Sequence, residues 1–331
     1  MHGEPLESAA RVAALLRSAR SIVVSSQSPL DGDSVGCEVA LLELGPELAP
    51  GARWHALNES AVPTLYTFLD GTDRLTVLTP DAAPPEADLL ILLDCGALDR
   101  FAFLPERFPA TRILNLDHHA SNTRFGDFHW VAPDHASTGE QVFEIARAAG
   151  AGLTPAAARG LYLALAFDTG RFAYSSTRPE TLRYAADLVE AGARPEDLFR
   201  ALWRNRTEGA LRMMAFAVQH LNRGAAGRLA WVAVSAADLA AAGATREDLE
   251  DLVNLPLTLA GVEVSLLLRE LTDGRTKVSL RSDRWFDVAA FAAHFGGGGH
   301  VRAAGAVVDL ALEAAAAALV PALDAAVRKV S

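Results

Sequence analysis

Apolar residues recur at helical spacing from Ser8 to Arg20, and the β-branched run Ile22-Val23-Val24 then ends on polar serines. This pattern predicts a helix followed by a buried strand. Similar short apolar runs occur at Arg53 to Leu57, Leu89 to Leu93 and Arg112 to Leu116, separated by segments long enough for helices. The alternation indicates a parallel α/β sheet. Because ligands of open parallel sheets collect beyond the carboxyl ends of the strands, we expect the chemistry there.

The second half of the chain shows a different pattern. From about Glu180 to Gly224 the residues are amphipathic at helical spacing without a flexible tether, so helices are expected to join two domains. Leu229 to Val234 predicts a strand, and Val262 to Arg269 with Thr276 to Arg281 predicts a hairpin. An alanine-rich helix is predicted near the C-terminal end. The predicted division is a parallel-sheet domain at 1–190, a helical connector at 191–225 and a smaller α/β domain with a mixed sheet at 226–331.

Composition narrows the class of protein. The 331 residues are half apolar, enough for two domains. Lysine and arginine number 30 against 41 acidic residues, a net charge of −11 that argues against a broad duplex-binding surface. Cys37 and Cys95 imply no disulfide scaffold, and the N-terminal segment lacks a signal-peptide core, so a cytoplasmic location is expected. No continuous apolar stretch predicts a membrane span.

Four short segments carry acidic or imidazole side chains directly after apolar runs. They are Gln27 to Asp33, Asp94 to Gly96, Asp117-His118-His119, and Asp168 to Gly170. Each alone has an ordinary interpretation as a turn or a helix cap. Aspartate at the end of a buried element is costly, however, unless its charge is paired or ligates a metal. Carboxylates with imidazoles suit Mn²⁺ or Mg²⁺, and two such ions activate water beside a phosphoryl group, so together the segments indicate phosphoryl transfer.

A glycine-rich segment in the second domain runs from Phe295 to His300. Consecutive glycines allow close backbone approach and expose N–H groups to an anion, although they can also mark only a tight turn. We interpret the remaining histidines as ordinary: His55, His129, His135, His220 and His294.

The ordered acidic and histidine segments resemble motifs I to IV of the DHH phosphoesterase superfamily, with Asp117-His118-His119 as the name-giving motif. Phe295 to His300, followed by Ala303-Ala304-Gly305, resembles the DHHA1 substrate-binding domain. The resemblance covers nearly the whole chain and is nearest to the NrnA subfamily. Members of that subfamily degrade very short RNA and in many cases dephosphorylate 3′-phosphoadenosine 5′-phosphate. The resemblance implies a DHH domain followed by a DHHA1 domain.

The resemblance also implies a metal centre with two Mn²⁺ ions, for which Mg²⁺ is the alternative. By position, Asp31 would ligate the first metal, Asp33 the second, and Asp94 would bridge both. His118 and Asp168 would complete the second site.

Further residues are assigned by the same resemblance. Asp117 would orient the ligand histidines, and His119 would lie nearer the substrate and assist phosphate binding or the leaving group. The implied catalytic set is Asp31, Asp33, Asp94, Asp117, His118, His119 and Asp168. The implied substrate-binding set is His119, Asn122, Arg281, Ser282, Gly297, Gly298, Gly299 and His300.

Gln27 departs from the motif. The family has a metal-ligand histidine four residues before the first aspartate, Asp31, and this chain has glutamine. An amide offers only a neutral carbonyl oxygen, a poorer ligand than imidazole for a transition metal, so the first metal should bind weakly. The change is interpreted as an attenuated site, of either natural or engineered origin.

The expected function is therefore hydrolysis of short oligoribonucleotides to mononucleotides, and of 3′-phosphoadenosine 5′-phosphate to AMP, attenuated by Gln27. A binding protein for a nucleotide or cyclic dinucleotide, with little turnover, is the alternative. An inorganic pyrophosphatase is disfavoured because its basic C-terminal motif is missing, and a processive exonuclease because no basic track is visible. Neither a long nucleic-acid duplex nor a membrane is an expected partner. The sequence does not decide whether the chain forms a homodimer.

Overall fold

A computed structural model describes residues 3–249 and 251–330, and the chain divides into two compact units, Met1–Arg204 and Asn205–Ser331. The predicted α/β class is confirmed, with a parallel sheet in the first unit and a mixed sheet in the second. The division falls inside segment 191–225, whose role as a connector stays a prediction. Within the described residues, no helix combines the length and apolar character needed to cross a membrane.

Among its described residues, the first unit has a seven-stranded parallel sheet and six α-helices. The strands are β1 (Glu4–Pro5), β2 (Ser21–Ser26), β3 (Arg53–Asn58), β4 (Leu75–Val77), β5 (Leu89–Leu93), β6 (Arg112–Asp117) and β7 (Phe128–Val131). The helices are α1 (Ala9–Ser18), α2 (Gly32–Leu48), α3 (Thr138–Ala149), α4 (Pro155–Asp168), α5 (Pro179–Glu190) and α6 (Pro195–Trp203). The four short apolar runs in the sequence correspond to strands β2, β3, β5 and β6, as predicted.

The centre of this sheet is buried on both faces. Every residue of β2 and β5 is buried, and alternate residues of β5 enter different apolar cores. Leu89, Ile91 and Leu93 pack with α2 and α4 residues, whereas Leu90 and Leu92 pack against segment 101–108. Burial on both faces explains why these strands read as continuous apolar runs rather than as alternating patterns.

The strand order places the acidic segments at one point of the sheet. The order is β1-β7-β6-β5-β2-β3-β4. From β2 the chain adds β3 and β4 toward one edge of the sheet, and from β5 it adds β6 and β7 toward the other edge. Between β2 and β5 lies the topological switch point, where open α/β sheets leave a crevice at the carboxyl ends of their strands. Asp31 and Asp33 follow β2, and Asp94 follows β5.

The second unit contains a six-stranded mixed sheet. The strands are β8 (Asn222–Gly224), β9 (Leu229–Val234), β10 (Val264–Glu270), β11 (Thr276–Ser282), β12 (Gly298–His300) and β13 (Ala303–Val308), in the order β12-β13-β11-β10-β9-β8. The helices are α7 (Glu208–Gln219), α8 (Ala236–Ala242), α9 (Val288–Ala293) and α10 (Leu312–Lys329). The predicted hairpin is confirmed as the antiparallel pair β10 and β11, whereas the parallel pairing of β9 with β10 was not anticipated.

Two glycines let α2 and α4 approach closely. A Cβ at Gly36 would lie 2.2 Å from the carbonyl oxygen of Gly160, and a Cβ at Gly160 would lie 2.6 Å from that of Gly36. A side chain at either position would force the helix backbones apart. Because α4 ends at Asp168 and α2 begins next to Asp33, this contact determines whether the two carboxylates can meet.

We therefore expect Gly36→Ala to lower the free energy of unfolding by about 3 kcal/mol, because overpacking against backbone cannot be relieved by a rotamer change. Chemical denaturation measures this. Gly152→Ala is the matched control, since a Cβ there would meet only the Glu47 side chain at 3.8 Å. The control should stay within about 0.5 kcal/mol of the parent. Equal stability of the two variants would contradict the helix contact.

Candidate metal centre

The first two aspartates lie at the N-terminal end of α2. Asp31 is its N-cap, and its Oδ1 accepts a hydrogen bond from the Ser34 N–H at 3.0 Å. Asp33 is fully buried and accepts hydrogen bonds from the backbone N–H groups of Thr138, at 2.7 Å, and Gly139, at 3.0 Å. These donors belong to the first turn of α3, whose partial positive charge stabilises a carboxylate. The fold thus supplies two donors to hold Asp33.

Asp94 follows β5 in an unusual backbone conformation. Its φ is +49°, in the left-handed region that costs energy for residues other than glycine. The conformation turns the buried carboxylate so that Oδ2 accepts from the Ser34 hydroxyl at 3.2 Å. Among the described residues, no group donates a hydrogen bond to the buried Oδ1. A buried carboxylate oxygen in this condition fits a site built for a cation.

The DHH segment leaves the end of β6, and Asp117 organises it. The fully buried Asp117 carboxylate accepts from the His118 backbone N–H at 2.8 Å, from the His119 imidazole at 2.7 Å and from the Asn122 amide at 2.6 Å. Burial alone would raise the pKa of Asp117, but the hydrogen bond and charge of His119 outweigh it, so this pKa lies below its ordinary value. Asp117 is therefore held as an anion.

His118 lies among three carboxylates. Its Nε2 is 3.2 Å from Asp168 Oδ2, 3.6 Å from Asp94 Oδ1 and 4.0 Å from Asp33 Oδ2. The ligand atoms of Asp33, Asp94, His118 and Asp168 all lie within 4.8 Å of one another, a spacing that can hold a metal ion. A second group with the same spacing consists of Asp94, His118 and His119.

The electrostatics of the group favour a divalent cation. Burial and the charges of Asp31 and Asp33 raise the pKa of Asp94 well above its ordinary value. Burial and Asp33 likewise raise the pKa of Asp168 to about 8. Burial lowers the pKa of His118, yet the carboxylates of Asp168 and Asp94 close to its Nε2 raise this pKa overall. Without a metal the group retains protons, and a divalent cation held by oxygen and imidazole ligands can replace them.

Asp31, Gln27 and Asn122 are not members of these two groups. Asp31 belongs to neither of the groups of described residues whose ligand atoms lie within 4.8 Å of one another. Its assignment to a first metal stays a prediction. Gln27 directly follows β2 and is partly exposed. The Asn122 amide is buried and turned toward Asp117, and it also donates to the Asn115 side chain at 2.8 Å. Its predicted contact with substrate is likewise untested.

The predicted substrate residues of the second unit lie on its mixed sheet. Arg281 in β11 and His300 in β12 both stand opposite Ala303 in β13, so their side chains project from one face of the sheet. Ser282 projects from the other face and is buried, its hydroxyl donating to the Phe286 carbonyl at 2.6 Å.

The glycines of this segment do not share one role. A Cβ at Gly297 would lie 2.2 Å from the Gly305 carbonyl oxygen. Gly299 has a φ of +141°, and a Cβ there would lie 2.4 Å from the Ala303 carbonyl oxygen. Both are therefore required for close strand approach. Gly298 has open space around its Cβ position. Substrate binding by Gly297, Gly298 and Gly299 stays a prediction.

Comparison with known proteins identifies the family. The DHHA1 domain matches residues 230–329. The bifunctional oligoribonuclease and PAP phosphatase NrnA of Thermus thermophilus is 31% identical over 288 residues, covering 87% of this chain and 84% of the relative. The chain belongs to the NrnA family of DHH/DHHA1 proteins. The Bacillus subtilis NrnA is 26% identical over 284 residues, covering 84% of this chain and 86% of that protein.

A solved structure agrees with the NrnA fold. An exopolyphosphatase-related protein from Bacteroides fragilis superimposes with a TM-score of 0.87 at 24% identity, covering 97% of this chain and 95% of that one. At this identity the likeness concerns the fold alone.

Sequence reasoning missed several residues that shape the site of this NrnA-family chain. Ser34, the N–H groups of Thr138 and Gly139, and the backbone carbonyl of His135 all contact the acidic group or His118. Ser137-Thr138-Gly139 at the start of an apolar helix is a recognisable N-terminal signal. The proximity of this helix start to Asp33 is a contact between residues far apart in the chain, which a local sequence pattern does not predict.

The retained protons predict a pH dependence of metal binding. Asp168 and His118 hold protons in the metal-free native state up to a higher pH than in the unfolded chain, where their ordinary values are 3.8 and 6.5. Metal-free stability conferred by these groups therefore falls as pH rises toward about 8 and beyond, while a metal that replaces the protons binds better. The increase in thermal midpoint caused by Mn²⁺, relative to EDTA, should grow between about pH 6 and about pH 8.

Asp187→Asn, an exposed carboxylate on α5, is the control and should keep this growth unchanged. An increase in midpoint that is the same at both pH values would contradict proton displacement at the acidic group.

Proposed function

We propose that this chain is a divalent-metal-dependent phosphoesterase that hydrolyses very short oligoribonucleotides to mononucleotides. The observation that carries the proposal is the group of Asp33, Asp94, His118 and Asp168 at the switch point of the sheet, in a chain of the NrnA family. The names of the relatives also support 3′-phosphoadenosine 5′-phosphate as a second substrate, converted to AMP.

The proposed metal ligands are Asp33, Asp94, His118 and Asp168, with Asp31 and Gln27 toward a first ion. Bound Mn²⁺ or Mg²⁺ would supply a water of lowered pKa and neutralise phosphoryl oxygens. The hydrogen bonds from the first turn of α3 fix the orientation of Asp33. The fold thus aligns the carboxylate before any ligand arrives, which lowers the reorganisation needed in the reaction.

His119 is proposed to act on the phosphate or the leaving group. Burial lowers its pKa, but the hydrogen bond that the imidazole donates to Asp117 and the charge of Asp94 raise this pKa overall, which favours the protonated imidazole. An imidazolium can donate a hydrogen bond to a phosphoryl oxygen or a proton to a departing alkoxide. Asp117 fixes the Nδ1 side of the ring and so sets the orientation of the imidazole.

The second unit is proposed to bind substrate through Arg281 and His300, which project from the same sheet face. A guanidinium and an imidazole placed two strands apart can hold one phosphate or two neighbouring ones. The net charge of −11 restricts such binding to local contacts, in keeping with a short substrate rather than a long nucleic acid.

Gln27 is proposed to attenuate the enzyme, because a neutral amide oxygen stands where the family motif has imidazole. The same residue favours the second candidate function, a nucleotide-binding protein with little turnover. The two are separated by measuring turnover and binding on the same substrate.

We predict that Gln27→His raises both the rate of mononucleotide release from a labelled RNA dinucleotide and the affinity for Mn²⁺, each by about tenfold. A longer RNA, measured in parallel, should be cleaved far more slowly by both forms. Gln219→His, the same substitution at an exposed position on α7, is the matched control and should change neither quantity.

Equal activity and Mn²⁺ affinity with and without histidine at position 27 would reject the attenuation. Tight dinucleotide binding without release of mononucleotide in either form would favour the binding protein. Faster cleavage of the long RNA would reject the short-substrate assignment.

A further inference from the structure

The His118 ring is oriented by a backbone carbonyl on its far side. Its Nδ1 lies 3.3 Å from the carbonyl oxygen of His135, while Nε2 faces Asp168 and Asp94. A carbonyl oxygen only accepts, so Nδ1 carries a proton in this arrangement. In the tautomer that carries the proton on Nδ1, the lone pair of Nε2 points at the acidic group, as ligation by this nitrogen requires.

The carbonyl belongs to the loop that follows β7 and runs beside the end of β6. The Ala132 N–H donates to the Asp117 carbonyl at 2.9 Å, and the His135 N–H donates to the Ala132 carbonyl at 2.9 Å. These bonds fix the start of the loop. The position of the His135 carbonyl then depends on what holds the His135 side chain.

Helix α3 and strand β7 contact that side chain. His135 Nε2 lies 3.2 Å from Glu144 Oε1 on α3, and the ring packs edge-on against Trp130 with centroids 5.7 Å apart. The same Glu144 oxygen accepts a hydrogen bond from the Tyr184 hydroxyl on α5 at 2.7 Å. The Tyr184 ring in turn packs on Phe143, with centroids 4.6 Å apart. A continuous set of contacts therefore runs from α5 to the metal-facing histidine.

We propose that Glu144 and Tyr184 are positioning residues for His118, acting through His135. Together they place the His135 carbonyl and so direct His118 Nε2 at the metal. This inference rests on the proposed function, since it assumes that the acidic group holds a catalytic cation. A purely structural role, in which the contacts only fasten α5 to α3, is the competing explanation. The two differ in what happens to metal affinity.

The test measures Mn²⁺ affinity by competition with a chelating indicator, without substrate, for the whole chain and for Tyr184→Phe and Glu144→Gln. Loss of the contacts behind a metal ligand is expected to weaken affinity roughly 10-fold to 100-fold. Tyr184→Phe keeps the aromatic packing and removes only the hydroxyl, so its fold should be preserved. Glu180→Gln is the matched control, because this exposed α5 carboxylate pairs with Arg183 on the same helix, and it should leave affinity unchanged.

Denaturation in EDTA provides the second measurement. Weaker Mn²⁺ affinity in Tyr184→Phe at unchanged metal-free stability would support the proposal. Lower stability with Mn²⁺ affinity within about twofold of the parent would overturn it. Mn²⁺ binding by the parent chain without RNA hydrolysis would reject only the proposed function. No Mn²⁺ binding by the parent would overturn both.

Discussion

Mutual repulsion among buried carboxylates is the constraint on which the first unit depends. Asp33, Asp94 and Asp168 meet with His118 in a volume from which water is largely excluded. Isolated charges would pay a large desolvation penalty there, and the raised pKa values of Asp94 and Asp168 express that cost. Such an arrangement is stable only because the surrounding fold supplies donors, protons or a cation, and so a functional site is the simplest reason for it.

The fold meets this constraint with rigid elements rather than flexible loops. The parallel sheet delivers two acidic segments to its switch point, the first turn of α3 donates to Asp33, and the glycine contact between α2 and α4 brings Asp168 into range. Asp117 is treated differently, since its hydrogen bonds keep it ionised while its neighbours retain protons. Adjacent carboxylates thereby acquire different tasks from their surroundings alone.

Local patterns in the sequence predicted the strands and the acidic motifs. They did not predict contacts between residues that are far apart in the chain. The buried strands β2 and β5 could be predicted because burial on both faces produces unbroken apolar runs. The order of the acidic and histidine motifs indicated a metal centre of the DHH type. The close approach of Gly36 to Gly160, the inward turn of Asn122 and the parallel pairing of β9 with β10 depend on contacts between distant residues. No period or spacing in the chain encodes them.

The central claim is that the acidic group at the switch point holds a divalent cation, and anomalous diffraction at the manganese absorption edge tests it most directly. Crystals grown with Mn²⁺ should show an anomalous peak bounded by Asp33, Asp94, His118 and Asp168. A metal-soaked crystal with these four side chains ordered and no peak among them would contradict the account.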